Sequence, residues 1–318
     1  MADTLFTWGP ANVTTLLTTT IENRRGDIQD AIFNELPTIK YLKDKNRVRV
    51  DGGASIITSL MYGTNSTAAF YYGYDVIDTT PQEGFTAGQY IWKEAATSIT
   101  VSNREETIQN VGKSEVFNIV KAKSDQAQMS LKNLLNNALF ATSPNVTKEL
   151  TSLPILIDAT SSIAQINSSA NSWWQSAVTA SGSFAAQGRA DMLNLYNTIT
   201  VRGGKTDYIL TTPTIHAYYE GSLVAQIRYE SASTGNNSFR DLMFKTASVN
   251  FDTAANSGVM YFLDSNHVEL VVNSNNDMRM TEWVKPANQT AKVAQLVIGL
   301  ELTTNNRRRL GKLTGITA

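Results

Sequence analysis

The sequence predicts an α+β protein in which one long helix and many short strands follow one another without regular βαβ alternation. Three features point to this class. Two β-like arms flank a turn-rich stretch between residues 54 and 101, one amphipathic stripe runs from 113 to 141, and strands dominate after residue 242. With 318 residues, 42% of them hydrophobic, the chain is long enough to bury a sizeable core in one large or two ordinary domains.

Residues 1–50 are predicted to form an N-terminal arm. The first 25 residues are polar and threonine-rich, with no sustained period. A short amphipathic helix is expected next, ending at Pro37, and a basic stretch from Lys40 to Arg49 leads to the turn at Gly52–Gly53. The apolar residues with helical spacing are Ile28, Ala31, Ile32 and Leu36.

Residues 51–101 predict a long two-stranded loop. Its arms lie at 54–72 and 89–101, and the stretch between them is rich in glycine, aspartate and proline, which favour turns. A two-stranded ribbon alone is marginally stable in water, yet this one carries much aromatic surface. The residues leave two interpretations open, a ribbon folded on its own core or one lying on another subunit. Its aromatic side chains are Phe70, Tyr71, Tyr72, Tyr74, Phe85, Tyr90 and Trp92.

Residues 102–155 are predicted to contain a long helix. Ser102 and Glu105 have the spacing of a capping box and predict a short helix, which ends near Gly112. A spine helix from 113 to 141 follows, roughly 40 Å long at about 1.5 Å per residue. Its apolar stripe comprises Val116, Val120, Ala127, Leu131, Leu134, Leu135 and Ala138.

Residues 156–284 are predicted to form an α/β-like domain, and residues 285–318 the closing strands and a C-terminal tail. A helix begins near Ala190, and a strand covers 207–212. Thr212 and Pro213 provide a helix N-cap and a first-turn proline. Strands are then predicted at 242–251, 258–263, 267–272, 278–284 and 293–303.

The composition excludes several functional classes. The 27 Lys and Arg residues nearly balance 28 Asp and Glu residues, which disfavours avid binding of nucleic acid by the whole molecule. The absence of cysteine excludes disulfides, thiolate metal sites and thiol catalysis, and agrees with a reducing cytoplasm. The first residues do not resemble a secretory signal, and no stretch is apolar enough to predict a membrane span.

Motifs for catalysis are weak. Gly112-Lys113-Ser114 lacks the first glycine of a phosphate-binding loop, since Thr107 stands in its place. His216 and Glu220 have the i, i+4 spacing of a metal pair, but a catalytic zinc normally needs three protein ligands. We therefore predict no catalytic residue, cofactor or metal, and keep an enzyme with a site near His216 and Glu220 as an alternative.

Two basic clusters could contact phosphates. One is Lys40 to Arg49, and the other is Arg307, Arg308 and Arg309 with Lys312. A solvated or salt-bridged surface is the commoner role for such clusters. The three arginines are kept as candidate DNA-facing residues.

The segments also follow one another in an order found in a known family. They are 31–37, Gly52–Gly53, the loop at 54–100, the helix at 113–141, Thr206–Pro213, Asn250–Asp252, Gly258–Leu263, the strands at 278–304 and the tail Arg309–Gly315. This order resembles the major capsid proteins of tailed bacteriophages, which have the Hong Kong 97 fold shared with encapsulin shells. The resemblance covers the chain from about residue 25 onward.

The resemblance implies a structural subunit that forms the hexamers and pentamers of an icosahedral head around double-stranded DNA. It implies a virion localisation after assembly in the bacterial host cytoplasm, with a portal protein as partner and scaffolding and decoration proteins left open. The loop then lies over a neighbouring subunit, 102–155 is a peripheral domain and 156–284 an axial domain. No long helical pro-segment is recognisable, and the loop tip from Tyr71 to Tyr90 has no lysine for a covalent cross-link.

Alternatives to a phage head remain at this point. An encapsulin shell would load a cargo enzyme instead of DNA. A secreted glycan-binding β-protein is disfavoured by the missing signal.

Overall fold

The computed structural model describes residues 37–104, 119–145, 147–201, 203–223 and 242–318. The predicted arm helix before Pro37, most of the predicted helix after Ser102 and the Gly112-Lys113-Ser114 motif lie outside these ranges. Helices and strands are mixed along the chain, in agreement with the predicted α+β class. The described chain forms two compact units, a smaller one from parts of 95–132 and 278–297 and a larger one from 35–94, 133–277 and 298–318.

The larger unit begins with helix α1 (Pro37–Asp44) and strand β1 (Val48–Asp51). The sequence predicted a basic stretch from Lys40 to Arg49 here, whereas a helix starts at Pro37. Proline suits a first helical position because its missing N–H would have no partner within the helix. Tyr41 of α1 stacks on Tyr208 with ring centroids 3.8 Å apart. Its hydroxyl donates to Asp207 over 2.6 Å, which fixes α1 on the central sheet.

That sheet has six strands, which are β5 (Ala177–Ala180), β6 (Tyr208–Thr211), β7 (Leu242–Phe244), β8 (Ala247–Phe251), β9 (Met260–Leu263) and β13 (Gly311–Thr314). Their order across the sheet is β5-β13-β9-β6-β8-β7. β6 runs parallel to β8, β13 runs parallel to β5, and the other neighbours are antiparallel. The sequence predicted β6 and β9, but it predicted one strand over 242–251, where β7 and β8 form an antiparallel pair, and it missed β5 and β13.

Two helices cover one face of this sheet. Their bounds are Arg189–Thr200 (α4) and Pro213–Ser222 (α5), and their starts agree with the prediction. Thr212 caps α5 by accepting a hydrogen bond from the Ile215 N–H. A single apolar core joins them to the sheet. It contains Met192, Leu195, Ile199, Ile209, Ile215, Tyr219, Val249, Met260, Phe262 and Leu313. All four residues of both β6 and β9 are buried, as expected for strands covered on two faces.

Further elements complete the larger unit. Strand β10 (Val268–Asn273) lies parallel to β1 and antiparallel to the second half of β12 (Ala291–Thr304), with Val268 opposite Thr304. A short helix α3 (Leu153–Leu156) and two 3₁₀ turns (Ser172–Trp174 and Arg307–Arg309) surround the end of β12 along the chain.

The smaller unit contains most of β4 (Lys93–Ser102), the first part of α2 (Ile119–Leu139), β11 (Arg279–Met280) and the first half of β12. β11 pairs antiparallel with β12, Met280 opposite Leu296, and β4 also pairs with β12. The predicted strand 278–284 is thus reduced to two residues. α2 confirms the predicted long helix from residue 119 onward. Leu131 and Leu135 of its stripe are buried, but Leu134 is 52% exposed, so the predicted stripe is too wide there.

Candidate assembly surface

The predicted two-stranded loop is a short ribbon with a long tip. Strands β2 (Ile56–Met61) and β3 (Phe85–Tyr90) pair antiparallel, with Ile56 opposite Tyr90 and Met61 opposite Phe85. The first predicted arm, 54–72, is longer than β2, and the second, 89–101, begins four residues after the start of β3 and covers most of β4 (Lys93–Ser102). The returning arm divides after Tyr90, because β4 leaves the ribbon to pair with β12.

The ribbon has one buried and one exposed face. Ile56, Leu60 and Tyr90 point to the chain's own core, whereas the alternate residues Ile57, Met61 and Phe85 are exposed. Alternation is expected because successive side chains of a strand point to opposite faces. The ribbon therefore packs on its own subunit with one face and leaves an apolar face uncovered.

Tyr90 corrects a prediction. It was expected to contact a neighbouring subunit, but it is only 3% exposed. Its hydroxyl donates to the Thr304 carbonyl over 2.9 Å and accepts from the Thr304 N–H over 3.1 Å. Tyr90 therefore links the ribbon to β12 of the same chain through two hydrogen bonds.

The segment 155–176 also holds the ribbon. The Gln89 N–H donates to the Ala164 carbonyl over 3.1 Å. Tyr62, directly after β2, stacks on Trp173 with ring centroids 5.1 Å apart. These contacts fix the direction in which the ribbon leaves the subunit.

The ribbon tip, residues 62–84, exposes its large apolar side chains. Phe70 and Tyr74 are fully exposed, and Tyr72 is 90% exposed. A turn closed by the Asp75 carboxylate, which accepts from the Tyr72 N–H over 2.9 Å, presents two of these rings. Tyr71 and Phe85 are exposed as well, so five of the seven predicted contact residues are available to a partner.

Trp92 is neither buried like Tyr90 nor fully exposed like the aromatic residues of the tip. It is half-buried in the link between β3 and β4, and its indole N–H donates to the Gly53 carbonyl over 2.9 Å. Only part of its ring is left for another chain. Sequence reasoning that followed aromatic residues overlooked the exposed aliphatic side chains, which are Ile57, Met61, Val76, Ile77 and Ile91.

The structure also corrects the prediction that the cluster Arg307, Arg308 and Arg309 faces DNA. Arg307 was predicted to face DNA, yet its exposure is 0%. The guanidinium donates hydrogen bonds to six oxygens of the segment 155–174 and so satisfies all of its N–H groups. The acceptors are the carbonyls of Ile155, Leu156, Asp158, Ser161 and Trp174 and the hydroxyl of Ser168. Burial lowers the pKa of Arg307 to about 10, so the side chain stays charged at neutral pH.

The two following arginines differ from Arg307. Arg309 is half-buried and donates to the carbonyls of Ile199 and Val201 at the C-terminal end of α4, where a cation is favourable. Arg308 is exposed. Of the predicted DNA-facing residues, Arg308 alone has its side chain directed to solvent.

Lys312 also has a structural partner. Its ammonium lies 3.1 Å from the Asp158 carboxylate. Burial raises the pKa of Asp158, but hydrogen bonds from Ser161 and Lys312 outweigh this effect and bring the pKa well below its usual range. The basic cluster is thus mostly tied to its own chain.

The histidines make packing and hydrogen-bond contacts. The His216 ring meets Phe251 edge-on at 5.1 Å, and His267 Nδ1 lies 2.6 Å from the Asn305 side-chain oxygen. Across the described ranges, no three His, Asp or Glu side chains are grouped so that they could hold a metal ion. None of the helices in the described part of the chain is long and apolar enough to cross a membrane.

Comparison with known proteins identifies the fold. No family model and no curated protein matches the sequence. Among solved structures, the capsid of cyanophage A-1(L) is similar with a TM-score of 0.70 at 14% identity, over 94% of this chain and 98% of that one. The capsid of an empty GTA particle matches with a TM-score of 0.66 at 11% identity, over 93% and 96%.

An encapsulin belongs to the same structural group. The SrpI encapsulin of Synechococcus elongatus matches with a TM-score of 0.61 at 9% identity, over 98% of this chain and 96% of that one. These similarities extend over nearly the whole of each chain. The chain therefore has the fold of phage capsid subunits, as the order of its segments predicted.

Proposed function

We propose that this chain is the major capsid protein of a tailed-phage head, a structural subunit that assembles into the hexamers and pentamers of an icosahedral shell around double-stranded DNA. The fold, shared over nearly the full length with capsid subunits, supports this function. The observation that carries it is the ribbon, because its tip and outer face expose a row of apolar side chains in the isolated chain. A contiguous exposed apolar surface marks an interaction site.

The Hong Kong 97 assignment of segments is part of the proposal. Residues 1–50 form the arm, 51–101 the extended loop, 102–155 the peripheral domain with α2 as its spine helix, 156–284 the axial domain, and 285–318 the closing strands and tail. The long helix, the ribbon and the six-stranded sheet occur in the order that this assignment requires.

The ribbon is proposed to contact a second copy of the chain. Full burial of a large apolar side chain contributes about 1.5–3 kcal/mol. Phe70, Tyr72 and Tyr74 together can thus supply several kcal/mol per contact, repeated over many subunits. The remaining partners are a portal protein, packaged DNA bound without sequence preference, and scaffolding or decoration proteins. No catalytic, cofactor or metal site is assigned, and the mature protein resides in the virion.

The ribbon contact is tested by comparing Tyr72→Ser/Tyr74→Ser with Tyr72→Phe/Tyr74→Phe. The serine pair should leave a folded subunit that forms no closed shells, since it removes the rings. The phenylalanine pair keeps the rings and should assemble normally. Sedimentation and electron microscopy report both outcomes. Shells of normal stability from the serine pair would refute the assignment.

An encapsulin shell is the second candidate, favoured by the similarity to the SrpI encapsulin. Particle contents distinguish the two functions. Particles from infected or native cells should contain nuclease-protected double-stranded DNA if the chain is a phage capsid protein. A packaged cargo protein without DNA identifies a compartment instead.

A further inference from the structure

The ribbon tip combines exposed aromatic rings with negative charge. Its residues 62–84 include three carboxylates and no lysine, arginine or histidine. The carboxylates are exposed, like the rings of Tyr72 and Tyr74 in the same segment. They belong to Asp75, Asp78 and Glu83. A surface that receives this tip therefore has to offer positive charge as well as cover for the rings.

Hydrogen bonds within the tip hold its own shape. The Thr80 hydroxyl donates to the Asp78 carboxylate over 2.6 Å, and the Asp75 carboxylate accepts from the Tyr72 N–H over 2.9 Å. These donors are neutral, so they leave the negative charge of both carboxylates uncompensated. Within the described ranges, no lysine or arginine pairs with a carboxylate of the tip. The tip is thus an acidic surface without a cationic partner on its own chain.

Helix α1 carries positive charge on its outward face. Its buried side chains are Thr38, Tyr41 and Leu42. Successive residues of an α-helix are about 100° apart around its axis, so Lys40 and Lys43 point away from these three residues. Both lysines are exposed. Residues three apart are neighbours on a helix surface, and the two ammonium groups therefore form one basic patch.

The next cations along the chain are paired, whereas this patch is not. The ion pairs that follow α1 are Lys45 with Asp207, Arg47 with Glu269 and Arg49 with Asp51, at N–O distances of 3.6, 3.5 and 2.8 Å. Lys40 and Lys43 have no carboxylate partner in the part of the chain that the structure describes. Their charges are available to another molecule.

The tip and the patch suit each other chemically. A lysine ammonium pairs with a carboxylate, and it is also attracted to the negative face of an aromatic ring. The methylene stem of lysine covers apolar surface while its charged end stays in water. Opposite charge across a contact also disfavours wrong partners, because like charges there repel. The charges thus direct the apolar tip to one surface among many.

We propose that the ribbon tip of one subunit docks on the outward face of α1 of a second copy, where its carboxylates and rings meet Lys40 and Lys43. This inference rests on the proposed function and deepens it, because it names the surface that receives the ribbon. Tyr41 on the opposite face of α1 stacks on Tyr208 and donates to Asp207. The docked tip is therefore connected through α1 to the central sheet of its neighbour.

Cross-linking of particles assembled from an equal mixture of unlabelled and isotope-labelled full chain tests the contact. A carbodiimide joins a carboxylate to a lysine amine only where the two groups touch. We expect tip carboxylates joined to Lys40 or Lys43, in pairs of one light and one heavy peptide, which only two different chains can give. Tip carboxylates joined to other lysines, or to none, would overturn the contact alone. Absence of particles would overturn the proposed function as well.

Charge reversal measures what the contact contributes to assembly. Lys40→Glu/Lys43→Glu should raise the protein concentration needed for particles at least about tenfold, because like charges then face each other. Asp78→Lys/Glu83→Lys should do the same, and the two pairs combined should recover most of the loss. The matched control is Lys148→Glu/Lys285→Glu, which changes the charge equally at two other exposed lysines and should assemble like the wild type.

Two results of the charge reversal would overturn the proposal. One is a combined variant that assembles no better than either pair alone. The other is a Lys40→Glu/Lys43→Glu chain that forms empty shells at the wild-type concentration but retains less DNA, which would assign the patch to packaged DNA.

Discussion

Replacement of Arg307 by methionine should destabilise the protein strongly. The variant loses six hydrogen bonds from a fully buried guanidinium, and five backbone carbonyls of the segment 155–174 lose their donor. A hydrogen bond to a charged group contributes about 1.5–3 kcal/mol net, but such contributions do not add in one network. Water that enters the space and the removal of a buried charge offset part of the loss. We expect a loss of about 3–5 kcal/mol.

Urea unfolding of the unassembled chain, followed by tryptophan fluorescence, measures this loss. Trp174 gives a local signal, since its carbonyl accepts from Arg307. Arg308→Met is the matched control, because Arg308 is exposed and such substitutions usually change stability by less than about 0.5 kcal/mol. Equal unfolding midpoints for Arg307→Met and Arg308→Met would refute the reasoning and restore Arg307 as a surface residue.

Three further predictions concern charge and covalent chemistry. Arg308→Gln should reduce DNA retention in filled particles without preventing empty shells, and unchanged packaged length would count against DNA contact by Arg308. Mature particles boiled in detergent should run as one band near 34.9 kDa, because cysteine is absent and the tip 71–90 has no lysine; a ladder of covalent oligomers contradicts this. The pKa of Glu301 is about 7 in the folded chain against 4.5 unfolded, so the folded chain binds this proton more tightly and stability falls as pH rises between these values. For the wild type this fall in the free energy of unfolding should amount to ~3 kcal/mol between pH 4.5 and pH 8. Glu301→Gln should not show it when unfolding midpoints are measured over the same pH range. The same fall in the variant would contradict the argument that burial raises the pKa of Glu301.

Local signals predicted the helices α4 and α5 and the strands β6, β9 and β10 of the larger unit, but missed α1, α3, β5 and β13. Thr212 and Pro213 fix the start of α5 because both act within the first helical turn. The alternation of side chains along β3 also predicts that Tyr90 and Phe85 do not share a face of the ribbon. Phe85 and Tyr90 are five residues apart, and residues an odd number apart point to opposite faces of a strand. Grouping the two as one aromatic surface ignored this rule.

The role of Arg307 could not be predicted from local sequence. Residues 307–309 form a 3₁₀ turn, in which successive side chains point about 120° apart, so three identical arginines must face three directions. Which one points inward depends on carbonyls more than 130 residues earlier in the chain. The division of the returning arm at Ile91 likewise depends on the distant strand β12.

Electron microscopy of the purified full chain tests the central proposal, that this protein is a shell subunit, most directly. We expect closed, hollow particles of uniform diameter whose surface resolves into six-fold and five-fold clusters of one 34.9 kDa chain. Monomers or small oligomers at every protein concentration and pH, with the chain folded by circular dichroism, would contradict it.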